Sequence, residues 1–298
     1  MRRLVLAAFL AAVSLAACRD DNSNPAVVAT TTQVADMTRA VAGGRVTVEQ
    51  ILQPGSDPHE YEPRPSDAQA VAGAKVVIRS GGDVDDWLSG LIDQAGGDAQ
   101  VTTLIDHVAR QGEDPHWWQD PRNAEQATEA IRQALTKADP QGAAGYRSRA
   151  TAYEQKLHGL DAGIASCVQR LRPAERKLVT SHDALGYYAR RYGFTVVGAA
   201  IPSLSTQAQP SAAATKRLVD QIESEHVAAI FPESALNPKL EQAIARDAGA
   251  KVGGALWADA LGPKGSTGDT YAKALASNTR TIVSALSRGR ETCAQLAP

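Results

Sequence analysis

Apolar and β-branched segments alternate with amphipathic ones along the first third of the chain. Val27 to Thr31 and Val46 to Leu52 have the composition of buried strands, and the helical pattern from Gln33 to Val41 between them ends at two glycines. The same alternation predicts further strands at 76–78 and 101–105, a helix over 66–72 with Ser66 as its N-cap, and a helix over 85–94. Strands that alternate with helices in this way predict βα units on a parallel sheet.

A long amphipathic stretch without a break follows this first part. A helix predicted over 121–138 ends before Asp139-Pro140, and apolar residues then recur at spacings of three and four from Tyr146 to Leu171. This periodicity predicts one helix over 141–171, about 45 Å long at about 1.5 Å per residue. A helix of that length exceeds what one small lobe needs, so we expect it to join two lobes.

The second half repeats the plan of the first. Strands are predicted at 177–180, 195–199, 227–231 and 251–256, alternating with helices over 184–192, 211–225 and 238–248, before a C-terminal helix. The predicted fold class is therefore α/β, with two lobes of parallel sheet flanked by helices. We place the N-terminal lobe at 26–139, the linker helix at 140–172 and the C-terminal lobe at 173–298.

The first residues have the pattern of a secretory signal. Residues 1–17 combine a basic start, an apolar run and a small-residue end, and the run is too short for a comfortable membrane span. The segment L-A-A-C that ends at Cys18 resembles the lipobox of bacterial lipoproteins, and a plain cleaved signal is the alternative. We expect Cys18 to carry a lipid that anchors the body to the cell membrane, at the periplasm or cell surface, through a tether over 18–25.

Net charge and cysteine content further limit the partners and the compartment that the sequence allows. Removing residues 1–17 takes away two arginines and no acids, so the formal charge moves from -2 to -4 and gives no support for a nucleic-acid or polyanion partner. Apart from the lipidation site Cys18, two cysteines remain, Cys167 and Cys293. In an oxidising compartment an even pair is a candidate disulfide, and two buried thiols are the alternative.

Three histidines stand where predicted strands give way to loops. His59, His116 and His182 each lie in a polar segment of this kind, and ligands of open α/β sheets bind beyond the carboxyl ends of the strands. A single histidine there is more often a surface residue, but three of them suggest a metal site. Neutral imidazole suits zinc, which commonly takes three or four protein ligands in tetrahedral geometry.

A fourth ligand has two candidates, each after a predicted strand of the second half. Asp259 is preferred over Glu233, although either can instead be a helix cap or a partner of an imidazole. His107 follows a strand end and is the substitute if His116 fails, whereas exposure accounts for His158 and His226.

Two tryptophans follow His116 directly. Trp117 and Trp118 can pack the lobe, or they can form an apolar lid that dries a metal pocket. Both interpretations stay open at this point.

Four segments in order carry a family resemblance. They are G-S-D-P-H-E-Y-E-P from Gly55, D-P-H-W-W from Asp114, S-H-D-A-L-G-Y-Y-A-R-R-Y-G from Ser181 and D-A-L-G from Asp259. From Val27 to its end the chain resembles the zinc/manganese substrate-binding lipoproteins of ABC importers, the ZnuA/TroA/PsaA-like cluster, and among them the zinc type.

The resemblance implies two lobes joined by a rigid helix, with a metal ion held between them. It implies delivery of the metal to a membrane permease that a cytoplasmic ATPase powers. It assigns His59 and His116 to the first lobe and His182 and Asp259 to the second. Manganese-binding members carry glutamate where His182 stands, and a third imidazole in place of an oxygen ligand favours Zn(II) as the transported ion.

One part of the family pattern is missing. Many zinc-binding members carry a long histidine- and acid-rich loop in the first lobe, whereas the segment from Asp106 to Pro115 is short here and contains only His107. A separate zinc metallochaperone is therefore a possible donor, and we expect the receptor itself to be a monomer.

Three alternatives compete with the zinc receptor. The first is a manganese-specific receptor of the same family. The second is a secreted zinc hydrolase, but Pro63 stands where H-E-x-x-H after His59 needs its second histidine, and no phosphate loop or G-x-S-x-G with a triad is present, so we predict no enzyme. The third is a surface protein whose fold needs the metal and which would not fold without it.

Overall fold

Short strands rich in β-branched residues form the first sheet. The computed structural model describes residues 27–96 and 98–298, so the predicted signal over 1–17, the lipidation site Cys18 and the tether over 18–25 lie outside the described residues. The parallel sheet has the order β2-β1-β3-β4. Its strands are β1 (Val27–Ala29), β2 (Val48–Gln50), β3 (Val76–Arg79) and β4 (Gln100–Thr103).

Helices pack on this sheet between its strands and after the last one. They are α1 (Thr32–Ala42), α2 (Pro65–Gly73), α3 (Trp87–Ala95) and α4 (Pro121–Ala138). The Thr31 hydroxyl caps α1 by accepting from the Val34 N–H, and Gly43 ends that helix at a φ of 58°, a left-handed conformation that favours glycine.

The expected N-cap of α2 is wrong by two residues. Arg64 occupies the N-cap position, and its backbone N–H donates to Asp67 Oδ2 at 2.7 Å. Pro65 is the reason, because its fixed φ and missing N–H suit the first helical position, so the helix begins before Ser66.

The long helix, α5 (Ala143–Val168), contains 26 residues, or about 39 Å at about 1.5 Å per residue. Its buried face follows the predicted apolar stripe and includes Tyr146, Leu157 and Ile164. The helix packs against α1 and α4, and Arg149 Nε donates to the Val41 carbonyl at 2.7 Å. It also packs against α9 (Tyr271–Leu286), the C-terminal helix, so one core links both halves of the chain.

Two pairs of parallel strands follow α5. They are β5 (Lys177–Thr180) with β6 (Thr195–Ala199), and β7 (Ala229–Ile230) with β8 (Lys251–Val252). A parallel bridge between Thr180 and Phe231 joins the pairs. The helices of this half before α9 are α6 (Gly186–Tyr192), α7 (Ala212–Ser224) and α8 (Lys239–Asp247).

The last two strands are shorter than predicted. Pro232 has no N–H to donate to a ladder, and Gly253 leaves a gap that the Phe231 ring fills, since a Cβ there would lie 2.6 Å from the ring. Only a single bridge between Glu233 and Leu256 continues the pairing. The α/β class with parallel sheets flanked by helices is nevertheless the predicted one. Across the described ranges, no helix is both long and apolar enough to cross a membrane.

A disulfide joins the end of α5 to the segment after α9. Cys167 and Cys293 are bonded, with their Cα atoms 5.6 Å apart, and both are fully buried. Of the two alternatives that the sequence leaves open, the bonded pair is the one present. The bond fixes the C-terminal segment to the long helix across a separation of 126 residues.

We expect the double substitution Cys167→Ser and Cys293→Ser to lower the free energy of unfolding by about 2–5 kcal/mol, because an open chain gains conformational freedom mainly when unfolded. Chemical denaturation of the variant and of the oxidised wild type measures this difference. The wild type unfolded under reducing conditions is the matched control. Equal denaturation midpoints for variant and wild type would contradict the expectation.

Candidate metal centre

Four side chains from four separate loops meet where the halves of the chain face each other. His59 follows β2, His116 immediately precedes a 3₁₀ turn before α4, His182 follows β5, and Asp259 lies in the loop after β8. Each offers one ligand atom, and these atoms all lie within 4.8 Å of one another. The loops at the carboxyl ends of the parallel strands thus bring the four side chains together, as the α/β fold class predicts.

The distances within this cluster suit a single small cation. Asp259 Oδ2 lies 3.0 Å from His182 Nε2 and 3.3 Å from His59 Nε2, and Asp259 Oδ1 lies 3.5 Å from His116 Nε2. The Nε2 atoms of His116 and His182 are 3.3 Å apart. A tetrahedral shell with bonds of about 2.0–2.1 Å separates neighbouring ligand atoms by about 3.3–3.4 Å, and these four separations are close to that spacing.

Burial makes the cluster costly without a cation. His116 and His182 are 0% and 1% exposed, Asp259 is 2% exposed and His59 is 8% exposed. His59 Nε2 and both carboxylate oxygens of Asp259 are buried and make no hydrogen bond in the described part of the chain. Buried polar atoms rarely stay unpaired, and these point at one another around a common centre, so the donor set fits a bound metal ion.

The charges of the cluster shift the pKa values of its members. Burial by itself lowers the pKa of His59, but the adjacent Asp259 carboxylate raises it above the ordinary value. The pKa of His182 is raised well above its usual range despite burial, through Asp259 and Glu233. Burial opposes ionisation of Asp259, yet the charges of His182 and His116 hold its pKa well below the usual range. Without a metal ion, these shifts favour the protonated forms of His59 and His182.

Two carboxylates outside the cluster orient its imidazoles. Asp114 Oδ1 lies 2.7 Å from His116 Nδ1 and also accepts the His116 backbone N–H at 3.0 Å. Glu233 Oε2 lies 3.0 Å from His182 Nδ1 as a charge partner, outside hydrogen-bond geometry. Because the Nδ1 sides face these acids, the Nε2 atoms of both rings face Asp259. Outer carboxylates of this kind fix the tautomer and ring orientation of metal-binding histidines.

Glu233 lies beside the cluster and not in it. Its Oε1 accepts the Asp259 backbone N–H at 3.1 Å, and its own N–H donates to Ser181 Oγ at 2.9 Å. Burial and the charge of Asp259 raise its pKa. Of the two acids that the sequence offers, Asp259 is therefore the one that faces the imidazoles, while Glu233 supports both Asp259 and His182.

The loop that carries Asp259 is fixed to the first half of the chain. The Ala258 carbonyl accepts from Trp118 Nε1 and Gln119 Nε2, both at 2.9 Å, and from Gln33 Nε2 at 3.4 Å. Sequence reasoning missed Gln33 and Gln119. The sequence does contain a pattern that could have identified Gln33. The polar run Thr30–Gln33 follows a buried strand at the same sheet edge, and the run is itself buried.

The two tryptophans have different roles. Trp117 is fully buried and donates through Nε1 to Ser80 Oγ at 3.0 Å, so it packs the first half. The Trp118 ring contacts His116 edge-on, with centroids 5.4 Å apart, and is 2% exposed. Trp118 therefore both packs and walls the metal pocket off from water.

Contacts from the second half hold the loop of His59. Thr206 Oγ1 donates to Asp57 Oδ2 at 2.7 Å, and Gln207 Nε2 donates to the His59 carbonyl. Asp57 Oδ1 in turn accepts the His59 N–H at 2.9 Å. No sequence signal identified Thr206 or Gln207, because their partners are about 150 positions away and neither belongs to a chemical motif.

The remaining histidines lie away from the cluster. His107 is exposed in a 3₁₀ turn, His158 has a side chain that is 81% exposed on α5, and His226 is exposed just after α7. His116, and not its substitute His107, is the one that lies in the cluster.

We expect the metal-free protein to lose stability as pH rises above the ordinary histidine pKa of about 6.5. The raised pKa values of His59 and His182 stabilise the fold fully below the ordinary histidine pKa of about 6.5, and this stabilisation is lost as pH passes the raised values. The lowered pKa of Asp259 does not affect this slope, because the stability that it provides is lost only at acidic pH. Thermal unfolding with chelator present measures the slope.

Asp259→Asn tests the cause of this slope. An amide gives the imidazoles no anion, so the variant should lose less stability over the same pH range. His158→Gln is the matched control and should keep the wild-type slope. The same pH dependence in wild type and Asp259→Asn would contradict the assignment.

The chain is similar to known metal-binding proteins. The family model "Zinc-uptake complex component A periplasmic", ZnuA, matches residues 27–285. A manganese-binding lipoprotein, MntA of Halalkalibacterium halodurans, is 32% identical over 274 residues, which cover 90% of this chain and 91% of that protein. An iron ABC transporter substrate-binding lipoprotein, MtsA of Streptococcus pyogenes, is 29% identical and covers 90% of this chain and 93% of that protein.

A solved structure shares the fold. The periplasmic zinc-binding protein TroA from Treponema pallidum superposes with a TM-score of 0.82 at 29% sequence identity. The match covers 88% of this chain and 99% of TroA. The names of these similar proteins thus include manganese, iron and zinc.

Proposed function

The chain belongs to the ZnuA family of metal-uptake components, and from that premise we propose that it captures Zn(II) outside the cytoplasm and passes it to an ABC importer. Members of this family are transporter substrate-binding proteins and not enzymes. The observation that carries the proposal is the buried cluster of three imidazoles and one carboxylate. In the proposal His59, His116, His182 and Asp259 are the four ligands of the transported ion.

The choice of zinc rests on the donor atoms. Three nitrogen donors and one carboxylate at tetrahedral spacing suit zinc, whereas manganese prefers carboxylate, carbonyl and water oxygens. His182 decides how many nitrogen donors the site has, because an oxygen donor in its place would give two nitrogens and two oxygens. Manganese is the second candidate, favoured by the 32% identity to a lipoprotein that is named manganese-binding.

The proposed route of the ion follows from where the ligands lie. We assign the lobes to 26–139 and 173–298 with the linker helix at 140–172 between them, so each lobe supplies two ligands. The linker packs against helices of both halves and is fixed by the disulfide to the C-terminal segment. The ion would enter and leave by local opening of the loops around it, and a permease with its cytoplasmic ATPase would receive it.

The proposed location is the outer face of the cell membrane. Similar proteins carry the word lipoprotein in their names, and Cys18 ends a lipobox-like segment outside the described residues. A lipid at Cys18 would keep the receptor close to its permease. In the same proposal the receptor acts as a monomer, and a separate zinc metallochaperone supplies the ion.

Competitive zinc and manganese titration of the mature chain tests the ligand set. We expect one tightly bound zinc, with affinity at least about tenfold weaker in His59→Ala, His116→Ala, His182→Ala and Asp259→Ala, because each removes a direct donor. His158→Ala is the matched control on an exposed histidine and should bind as the wild type does.

The same titration separates the competing functions. Stronger selection of manganese than of zinc would favour the second candidate. Circular dichroism of the chelator-treated protein must show a folded state, since a receptor releases its ion and remains intact. Unfolding upon metal removal would instead indicate a structural metal.

Substitution of Glu233 by glutamine tests its supporting role. The amide keeps the shape but removes the anion that faces His182 Nδ1, so we expect zinc affinity to fall about 10–100-fold while one ion still binds. Glu62→Gln, at an exposed glutamate of the His59 loop, is the control. Loss of stoichiometric binding in Glu233→Gln would instead make Glu233 a direct ligand.

A further inference from the structure

A second polar crevice lies between the two halves, apart from the metal cluster. It has a volume of about 290 Å³ and is open to solvent on one side. One wall is formed by the loop at 109–111 and the first turns of α4, and the other by the end of α6. Four of the side chains that line it are arginines: Arg110, Arg122, Arg190 and Arg191.

Acidic partners neutralise only part of this charge. Arg122 is paired with Asp120, with Nη2 2.7 Å from Oδ2, and Arg191 is paired with the buried Asp161 through Nε at 2.9 Å and through Nη2. Arg190 makes no ion pair with any of the residues that the structure describes. Asp120 is the only carboxylate among the described lining residues, so the wall is positively charged.

Arg110 is weakly paired and available. Its Nη2 lies 3.9 Å from Asp106, and both side chains are more than half exposed. Exposed pairs of this kind contribute little and exchange readily. An anion in the crevice can therefore recruit Arg110 at small cost.

Helix electrostatics alone do not account for this convergence. Arg190 and Arg191 lie in the last turn of α6, where a cation is favourable. Arg122 lies in the first turn of α4, where a cation is unfavourable. Its pKa is raised by the hydrogen bond to Asp120, and the nearby charge of Arg191 acts against that rise. Three elements bring positive charges together here. An anion bound between these charges would stabilise them best.

The floor of the crevice is rigid. The Tyr187 hydroxyl accepts the Gln111 backbone N–H at 2.8 Å and lies 3.3 Å from the Asp114 carbonyl, to which it donates. Asn123 is also occupied, since its Oδ1 accepts from Ala109 N and its Nδ2 donates to the Trp117 carbonyl. The N–H groups of Arg110 and Arg190 and the side-chain amides of Gln111 and Gln126 are thus donors that a ligand can use.

We propose that this crevice binds a small multivalent oxyanion, a phosphate or a di- or tricarboxylate, between Arg110 and Arg122 of one half and Arg190 and Arg191 of the other. Guanidinium forks bind carboxylate and phosphate oxygens in bidentate fashion, and Arg110 and Arg190 can offer such a fork. Arg122 and Arg191 already hold Asp120 and Asp161 through Nε and Nη2, so they contribute positive charge and their remaining N–H groups. The concave shape and modest volume fit a small molecule. The formal charge of -4 for the chain without residues 1–17 opposes a macromolecular polyanion.

Isothermal titration of the mature chain at low ionic strength tests this site with two probes, inorganic phosphate and succinate. We expect one binding site per chain for at least one probe, and the probe that binds identifies the chemical class. Arg190→Ala should weaken binding about tenfold or more, because a charged hydrogen-bond donor is lost without disturbing an ion pair. Arg190→Lys should restore part of the affinity, since it keeps the charge but not the fork.

The matched control is Arg217→Ala, at an exposed arginine of α7 outside the crevice, which should bind as the wild type does. Binding of neither probe at concentrations up to about 10 mM, a very weak free energy of association, would overturn the proposal. Equal loss of affinity in Arg190→Ala and Arg217→Ala would also overturn it, because that result indicates unspecific charge attraction. Zinc titration of Arg190→Ala confirms that the variant is folded and that its metal site is unchanged.

Discussion

The carboxylate of Asp259, enclosed with three imidazoles away from water, is the constraint on which the rest of the site depends. A buried carboxylate without a compensating cation is expensive, by several kcal/mol even after relaxation. Here the compensation comes from protons on the imidazoles or from a metal ion at their centre, and the two are mutually exclusive. The raised pKa values of His59 and His182 and the lowered pKa of Asp259 express the same attraction from its two sides.

This attraction acts only because contacts across the halves keep the four side chains close. The Ala258 carbonyl accepts hydrogen bonds from three side chains of the first half. Thr206 and Gln207 of the second half hold the loop of His59. The long helix packs against both halves, and the disulfide fixes the C-terminal segment to it. A receptor built in this way orders its ligands before the ion arrives, which lowers the entropic cost of binding.

Much of the fold could be predicted from the sequence because hydrophobic periodicity is a local signal. The limits of β5 and β6 match the pattern, while β7 and β8 are shorter since Pro232 and the glycine at 253 interrupt the ladder. Ser66 was a wrong N-cap because the local preference of Pro65 for the first helical position prevailed.

The candidate site, too, could be predicted from the sequence only in part. The histidines could be found because each follows a strand, and the topology brings strand ends together. The choice between Asp259 and Glu233 was open, because both acids follow strands and only the spatial arrangement shows which carboxylate faces the imidazoles. The contact between Thr206 and Asp57 spans 149 positions and involves no motif, so nothing local could reveal it.

The proposed metal preference rests on how charge is distributed around the centre. Among the four clustered side chains Asp259 supplies the only negative charge, while Asp114 and Glu233 stand behind His116 and His182. Carboxylates placed behind imidazoles increase the basicity of the nitrogen donors without adding oxygen donors to the centre. Such an arrangement strengthens binding of an ion that accepts nitrogen ligands in a four-coordinate shell, and it offers little to an ion that needs six oxygens. The outer acids and the third imidazole therefore both support the proposed preference for zinc.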